Sequence, residues 1–306
     1  LSAAPRDPLV CDDPIAERRY DYARAAASEG DWATAAEVLE QALQLAPDWA
    51  PAWFALGEAR ERLGDLTRAV DAFGATLSAD PGDAQGARGR LALLGEGSRL
   101  RALSPAYVAR LFDDYAARFD AHLACGLGYR GPELIAAALD RLEAPHFSRC
   151  IDLGCGTGLA GVALRGRVDT LIGVDLSAAM IAKARETRLY DELKVGDAVA
   201  FLATSAARGA DLVVAADVFG YIGDLDAVFG AAMRALADGG RLAFSVETDD
   251  GEGYRLGPAM RFTHSARYVR ETAMRAGLRE ELLAPVSIRR EAGLETPGLL
   301  GVFARG

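Results

Sequence analysis

Apolar and polar positions along the chain follow two rhythms, and the change between them falls near residue 97. Before it the chain reads as a succession of helices with an internal period. Shifting residues 19–47 by 34 places Gly30 on Gly64, Asp31 on Asp65, Ala35 on Ala69, Leu43 on Leu77 and Pro47 on Pro81. Tyr22 falls on Leu56, Trp32 on Leu66 and Leu39 on Phe73, which reads as large apolar positions kept in both copies. Each copy predicts a helix, a Gly-Asp turn, a second helix and a proline stop. The small Ala35 and Ala69 let paired helices approach closely, and Pro47 and Pro81 cannot continue the helices before them. A further helix over 84–94 would cap the stack.

Gly82, Gly86, Gly89, Gly95 and Gly97 separate this region from the next, and the expected domains are 1–97 and 98–306. From Ser104 the pattern predicts helices over 105–123 and 131–142. Short apolar strands then alternate with helices: strands at 149–153, 171–175, 193–195, 211–215 and 241–246, helices at 158–165, 177–188, 197–206, 224–237 and 265–276. Buried strands separated by helices imply a parallel sheet with right-handed crossovers, a doubly wound α/β layer. Two final apolar runs, 278–288 and 298–304, are joined without a helix and predict an antiparallel pair at the end of the sheet.

The 34-residue unit resembles the tetratricopeptide repeat (TPR). Trp53, Leu56, Gly57, Gly64, Ala69, Phe73 and Pro81 sit where that family's pattern places such residues, while the first copy departs from it with Arg19 where Trp is usual. Two repeats plus a cap fall short of the ~3 units that bury a continuous core. Three uses are open: a structural extension resting on the second domain, a homodimerisation surface, or a groove that recruits a protein or peptide.

The most informative stretch is Ile151-Asp152-Leu153-Gly154-Cys155-Gly156-Thr157-Gly158, where an apolar strand ends in an acid and a glycine loop. Open α/β sheets bind ligands at the carboxyl ends of their strands, where strand order reverses. Asp175 stands at the end of the next strand, placed to accept both hydroxyls of a ribose, and Asp197 ends the one after, suited to the exocyclic amine of adenine. The spacing is GxGxG, not the GxGxxG of dinucleotide folds. A carboxylate beside the loop would repel a pyrophosphate but could pair with an amino group.

These residues resemble the class I S-adenosylmethionine (SAM)-dependent methyltransferases over essentially all of 104–306. The resemblance implies a Rossmann-like seven-stranded α/β sheet with an antiparallel terminal strand, here preceded by a small all-α TPR domain. It implies that Asp152, Gly154, Cys155, Gly156 and Gly158 hold the methionine part of SAM and that Asp175 binds ribose. Leu176 and Met180 would flank the adenine, and Asp197 and Ala198 would meet its edge. Residues 216–221, with Asp217 and Tyr221, correspond to the stretch that lines the methyl-transfer site. The segment 112–123 with Leu127-Gly128-Tyr129 is similar to the methyltransferases related to trans-aconitate and malonyl-carrier enzymes, and closest to bacterial predicted methyltransferases with N-terminal TPRs. There this helix lids the cofactor. Tyr115 is thereby expected at SAM and Arg118 and Tyr129 at the acceptor, whereas Phe112 and Phe119 read as packing residues.

SAM carries its own reactive sulfonium, so the protein has mainly to align acceptor, methyl and sulfur and to exclude water, and S-adenosylhomocysteine is the expected product. No metal is expected, because His122, His146 and His264 lack ligand spacing for zinc. The segment following the fifth strand is expected to roof the acceptor pocket. Residues 255–290 carry eight arginines and three glutamates, a local excess of +5, and Arg261 and Arg289 are the expected clamp for an anionic, carboxylate-like acceptor. His264 is the first candidate for a catalytic base or acceptor-orienting group, and Tyr221 the second.

Composition narrows the alternatives. The 306 residues are 51% apolar and 25% charged, which excludes disorder as the main state. The net charge of −10 sits mostly in residues 1–97, with nine basic against seventeen acidic side chains, and disfavours nucleic acid as a partner. No apolar run reaches the ~18–20 residues of a membrane span, residues 1–14 do not read as a signal peptide, and four unpaired-looking cysteines suggest a reducing, cytoplasmic setting. The leading expectation is methylation of a small-molecule or carrier-borne acceptor. Its alternatives are methylation of a protein or peptide brought by the TPR segment, a non-catalytic scaffold with a SAM-sensing domain, and a nicotinamide oxidoreductase.

Overall fold

In the computed structural model, residues 7–117, 128–143, 146–291 and 294–306 are described. The chain divides into two compact units, Leu1–Tyr107 and Val108–Gly306. Residues 98–107 thus go with the first unit, where Ser104 Oγ donates to Asp83 O at 2.7 Å and the Tyr107 ring occupies the space a Cβ on Gly86 would need.

The first unit is five helices: α1 (Pro14–Ser28), α2 (Trp32–Leu45), α3 (Ala50–Arg62), α4 (Leu66–Ala79) and α5 (Ala87–Leu93). The repeated Gly-Asp turn works the same way in both copies. Gly30 and Gly64 take positive φ (83° and 77°), which ends the first helix of each pair, and Asp31 and Asp65 then cap the second by accepting from Thr34 N and Arg68 N. Ala35, Ala42, Ala52, Ala59 and Ala69 are fully buried, and the small side chains bring helix backbones together around Leu39, Phe73 and Trp49. The apolar match between copies is incomplete in space, however. Leu56 is 5% exposed, but Tyr22 is 61% exposed and Leu66 51%. Leu56 packs against the preceding repeat, whereas among the described residues no helix covers the equivalent face of α1, which stays wet. A groove of about 240 Å³ is lined by Glu40, Trp53, Leu56, Arg60, Arg68 and Asp71.

The second unit begins with α6 (Pro105–Tyr115, of which Pro105–Tyr107 belong to the first) and α7 (Gly131–Arg141). The predicted continuation of α6 to residue 123, with Arg118, Phe119 and His122, lies outside the described residues. There follow β1 (Phe147–Leu153), α8 (Leu159–Leu164), β2 (Val168–Asp175), α9 (Ala178–Thr187), β3 (Glu192–Val195), α10 (Ala198–Leu202), β4 (Ala210–Ala215), α11 (Asp226–Ala235) and β5 (Leu236–Glu247). A two-stranded ribbon, β6 (Tyr254–Leu256) with β7 (Phe262–His264), precedes α12 (Ala266–Ala276), β8 (Leu278–Glu291) and β9 (Leu294–Arg305). The ribbon is absent from the sequence pattern because its strands are only three residues long.

Seven strands form one sheet in the order β3-β2-β1-β4-β5-β9-β8, parallel as far as β5 and antiparallel thereafter. This is the Rossmann-like mixed sheet expected, with its antiparallel end. One apolar layer around Phe219, Phe229, Phe244 and Phe303 packs α11 and α12 on the sheet, and another around Ile135, Leu139, Leu164 and Leu171 packs α7 and α8 on it. Strand order reverses between β1 and β4, whose exits therefore open side by side. Among the described residues no helix is long and apolar enough to cross a membrane.

The repeat pairing yields a direct test. A Cβ on Gly57 would lie 2.6 Å from the ring of Phe73, which is wholly buried. Gly57→Ala is expected to destabilise the helical unit by about 1–3 kcal/mol despite its better helix propensity, read as a lower midpoint in urea unfolding.

Candidate active site

The site is built where β1 stops. Gly154, Gly156 and Gly158 all have positive φ (60°, 53° and 102°), and a Cβ on Gly154 would come within 2.6 Å of Val218, just past β4. The loop is tied to β2 by two backbone donors: Gly156 N reaches Asp175 Oδ2 at 2.9 Å and Cys155 N reaches Val174 O at 3.1 Å. Asp175 Oδ1 accepts from Ser177 N at 2.8 Å, so this carboxylate joins the loop to the start of α9. The Cys155 thiol is buried, and burial pushes its pKa up. Asp197 caps α10 through Ala200 N (2.8 Å), and Ala198 is half-buried against the core. Leu176 is half-buried. Met180, expected beside the adenine, is 0% exposed: the turn capped by Ser177 Oγ directs it into the interior.

Asp152 lies under the loop, buried, and its Oδ2 accepts from the Tyr190 hydroxyl at 2.6 Å. Burial raises its pKa to about 7; the Tyr190 hydrogen bond acts in the other direction. Tyr190 was not legible as a site residue in the sequence, yet it organises this end. Its hydroxyl also accepts from Gly161 N (3.2 Å), and its ring fills the space that a Cβ on Gly158, Gly161 or Gly173 would occupy. Asp113 of α6 was missed too: Oδ1 accepts from Ser177 Oγ at 2.6 Å and Ala179 N at 3.1 Å, which seats that helix beside the start of α9. Tyr115 ends the same helix, half-buried. Arg118 lies outside the described residues.

A second cluster stands at the exits of β4 and β5. Asp217 has φ 60°, a strained value for a non-glycine residue, and its N–H donates to Ser245 Oγ at 3.0 Å. Arg261 donates from Nη2 to Asp217 Oδ1 (2.5 Å), from Nη1 to the Tyr221 hydroxyl (2.8 Å) and from Nε to Glu247 Oε1. Arg289 donates to Asp217 Oδ2 (3.3 Å) and Glu247 Oε1 (2.8 Å). The side chains are only 7–19% exposed, so two guanidinium groups and two carboxylates close an electroneutral buried network. Burial would raise the Glu247 pKa, but Arg261 and Arg289 outweigh it and hold it below the usual range. Glu247 follows the same strand-end rule as Asp152, Asp175, Asp197 and Asp217, and applying that rule to the fifth strand would have found it.

The guanidinium of Arg261 lies over the Tyr221 ring (4.9 Å to the centroid), and Phe112 meets that ring edge-on at 5.4 Å. Tyr129 is half-buried; burial first, then the charges of Asp217 and Asp152, raise its hydroxyl pKa well above the ordinary value. Its ring lies against Gly131, at the start of α7, where a Cβ would come within 2.5 Å of its hydroxyl.

Two expectations are corrected here. The excess of +5 over 255–290 is a property of the sequence window and not of the surface: all eight arginines are in ion pairs, and Asp217, Asp226, Glu247, Asp249 and Glu295 lie outside the window. Arg261 and Arg289 are therefore not a free anion clamp. His264 is 0% exposed, and its Nε2 faces the carbonyls of Ile222 (2.9 Å) and Gly223 (3.1 Å), which assigns the ring proton to that nitrogen. Burial lowers its pKa to about 4, so it is a neutral post for the 222–223 turn.

The residues at the loop fit SAM by their chemistry. The backbone cradle has no room for a Cβ at Gly154, no described cation pairs with the buried Asp152, and carboxylates end β1 and β2. Among the described residues no group of three His, Cys, Asp or Glu could hold a metal ion.

A family model described as a methyltransferase domain matches residues 127–280, half of the chain, and one described as a tetratricopeptide repeat matches residues 26–93. No curated protein matches the sequence. Among solved structures, the N-methyltransferase NodS of Bradyrhizobium japonicum WM9, in complex with S-adenosyl-L-homocysteine, is similar with a TM-score of 0.51 and 20% identity, over 65% of this chain and 98% of NodS. The [4+2]-cyclase SpnF is similar with a TM-score of 0.55 and 17% identity, over 68% of this chain and 99% of SpnF. At such identities both show the fold alone. Because one is a cyclase, the sheet by itself does not specify methyl transfer; the family match does.

The Asp152–Tyr190 pair predicts a pH dependence. If Asp152 holds the methionine part as the resemblance implies, its ionised form would attract the ammonium, and affinity for S-adenosylhomocysteine should fall as pH drops through about 7. For the unliganded fold the sign is opposite: protonated Asp152 is favoured by folding, so its contribution is complete below pH ~4 and is lost as pH rises through about 7. Tyr190→Phe removes the only described donor to Asp152. It should move the binding midpoint to higher pH and weaken binding at pH 7 about fivefold, on the order of 1 kcal/mol, measured by titration calorimetry across pH 5.5–8.5 (~).

Proposed function

The chain belongs to the methyltransferase-domain family and is a SAM-dependent methyltransferase; we propose that its methyl acceptor is a small molecule, free or carrier-borne. One observation carries this reading. The groups that would meet an acceptor, Tyr129, Tyr221 and the Arg261/Arg289 network, are buried or half-buried at the strand exits next to the glycine loop. Groups shielded in this way suit a compact acceptor better than a folded protein surface.

In this reading SAM, when bound, supplies a methyl group already activated on sulfonium. The loop glycines and Asp152 hold its methionine part, Asp175 its ribose and Asp197 with Ala198 the adenine edge; Leu176 flanks the ring, while Met180 supports it from the core. Phe112, edge-on to Tyr221, excludes water from the transfer path, which is the main contribution a protein can make to a reagent of this kind. His264 is assigned no step, since it is fully buried and its Nε2 is engaged by the 222–223 carbonyls. The relation of the α6 segment to the trans-aconitate and malonyl-carrier enzymes belongs to this proposal, resting on Phe112, Asp113, Tyr115 and Tyr129.

A second reading, methylation of a protein or peptide recruited by the repeats, draws on the groove between Trp53 and Asp71 and on the general role of TPR segments in protein interactions. The two separate in one assay. Full-length protein is incubated with methyl-labelled SAM and cell extract, and products are divided into low-mass and protein fractions. Label is expected on a small molecule, either free in the low-mass fraction or released from its carrier by mild hydrolysis; label that stays in the polypeptide would select the second reading.

A further inference from the structure

The buried network specifies more than a pocket. Asp217, Glu247, Arg261 and Arg289 carry two positive and two negative charges within hydrogen-bond contact, and the two guanidinium groups donate to Asp217, Glu247 and the Tyr221 hydroxyl. A carboxylate acceptor would have to share guanidinium groups whose charge Asp217 and Glu247 already neutralise, or displace one of these and leave a buried carboxylate unpaired. The network therefore resists anions.

It also leaves two groups to offer. Glu247 spends Oε1 on both arginines, and no described residue donates to Oε2. The Tyr221 hydroxyl accepts from Arg261, and no described residue accepts its proton. One acceptor oxygen and one donor hydroxyl, both anchored on Arg261, complement a neutral group that can donate and accept at once. Resting on the small-molecule reading above, we propose that the methylated group is an uncharged hydroxyl or amine, oriented by Glu247 Oε2 and the Tyr221 hydroxyl, and not a carboxylate.

The chemistry closes on these residues. The lone pair of the acceptor oxygen or nitrogen forms the new bond to the methyl carbon as the carbon–sulfur bond breaks, its electron pair staying on sulfur. The positive charge this leaves on the acceptor is relieved when its proton passes to Glu247 Oε2 and on to water. Tyr221 donates to the second lone pair of a hydroxyl acceptor, or, for an amine, whose single lone pair is the nucleophile, to a neighbouring polar atom of the substrate, and takes no part in bond making. Glu247 carries a negative charge beside the developing cation, which favours the transfer.

The test follows the chemical class of the product. Full-length protein, methyl-labelled SAM and cell extract are incubated, products are divided into low-mass and protein fractions, and the label is sorted by mild alkali, which frees methanol from methyl esters but not from ethers or N-methyl groups. Alkali-stable label is expected. Its formation should fall at least tenfold (~) in Glu247→Gln and severalfold in Tyr221→Phe, while both variants keep the affinity for S-adenosylhomocysteine within about twofold, which shows that they fold. Alkali-labile label overturns the proposal while leaving the small-molecule reading intact. Stable label that neither variant diminishes also overturns it. Label that stays in the polypeptide alone overturns the small-molecule reading and this proposal with it.

Discussion

Where β1 ends, the chain must turn out of the sheet within contact distance of the segment leaving β4, and Val218 stands where a side chain on Gly154 would have to go. The strand order reverses at this point, so the loop cannot be moved aside without separating β1 from β4. Most of the site follows from that constraint. The loop presents backbone N–H groups, Asp175 catches one of them, and Ser177 and Asp113 follow from Asp175. Tyr190 closes the underside, and Gly158, Gly161 and Gly173 are the room it needs. Glycines that look scattered along the sequence are one feature in space.

Charge behaves differently from shape. A stretch of sequence can be scanned for its balance of arginine and glutamate, but ion pairs form across strands and turns, without regard to the window. Arg275 meets Asp226, Arg290 meets Glu295, and Arg261 and Arg289 meet acids at the exits of β4 and β5. The basic excess dissolves into paired groups, mostly exposed and individually weak, around one buried network. That network is neutral because two strand-end carboxylates point into it, and a buried cation without such partners would be too costly to keep. His264 shows the same rule on a smaller scale: once buried, it settles onto backbone carbonyls and ceases to be a base.

The helical unit was legible where its signals are local. Gly30-Asp31 and Gly64-Asp65 each combine a left-handed residue with a side-chain cap, and no distant residue is needed to make that turn. Burial was less legible, since Tyr22 and Leu56 occupy equivalent places in the period but among the described residues only Leu56 is covered by another repeat. Periodicity states which face a residue lies on; whether anything covers that face depends on neighbours.

By itself the sequence determined the order and kind of the main elements, the repeat, the glycine loop and the acids that end β1, β2 and β3, because these rest on backbone geometry and on periods of two, three and a half, or thirty-four residues. Only the tertiary structure decided how the arginines are paired, what His264 can do, that Met180 faces inward, that Tyr190 and Asp113 stand at the loop, and that two arginines share the strand-end acid Glu247. Those properties depend on residues 14 to 72 positions apart in the chain meeting in a medium of low polarity, where a partner's presence or absence sets the charge state, and no local pattern records such meetings.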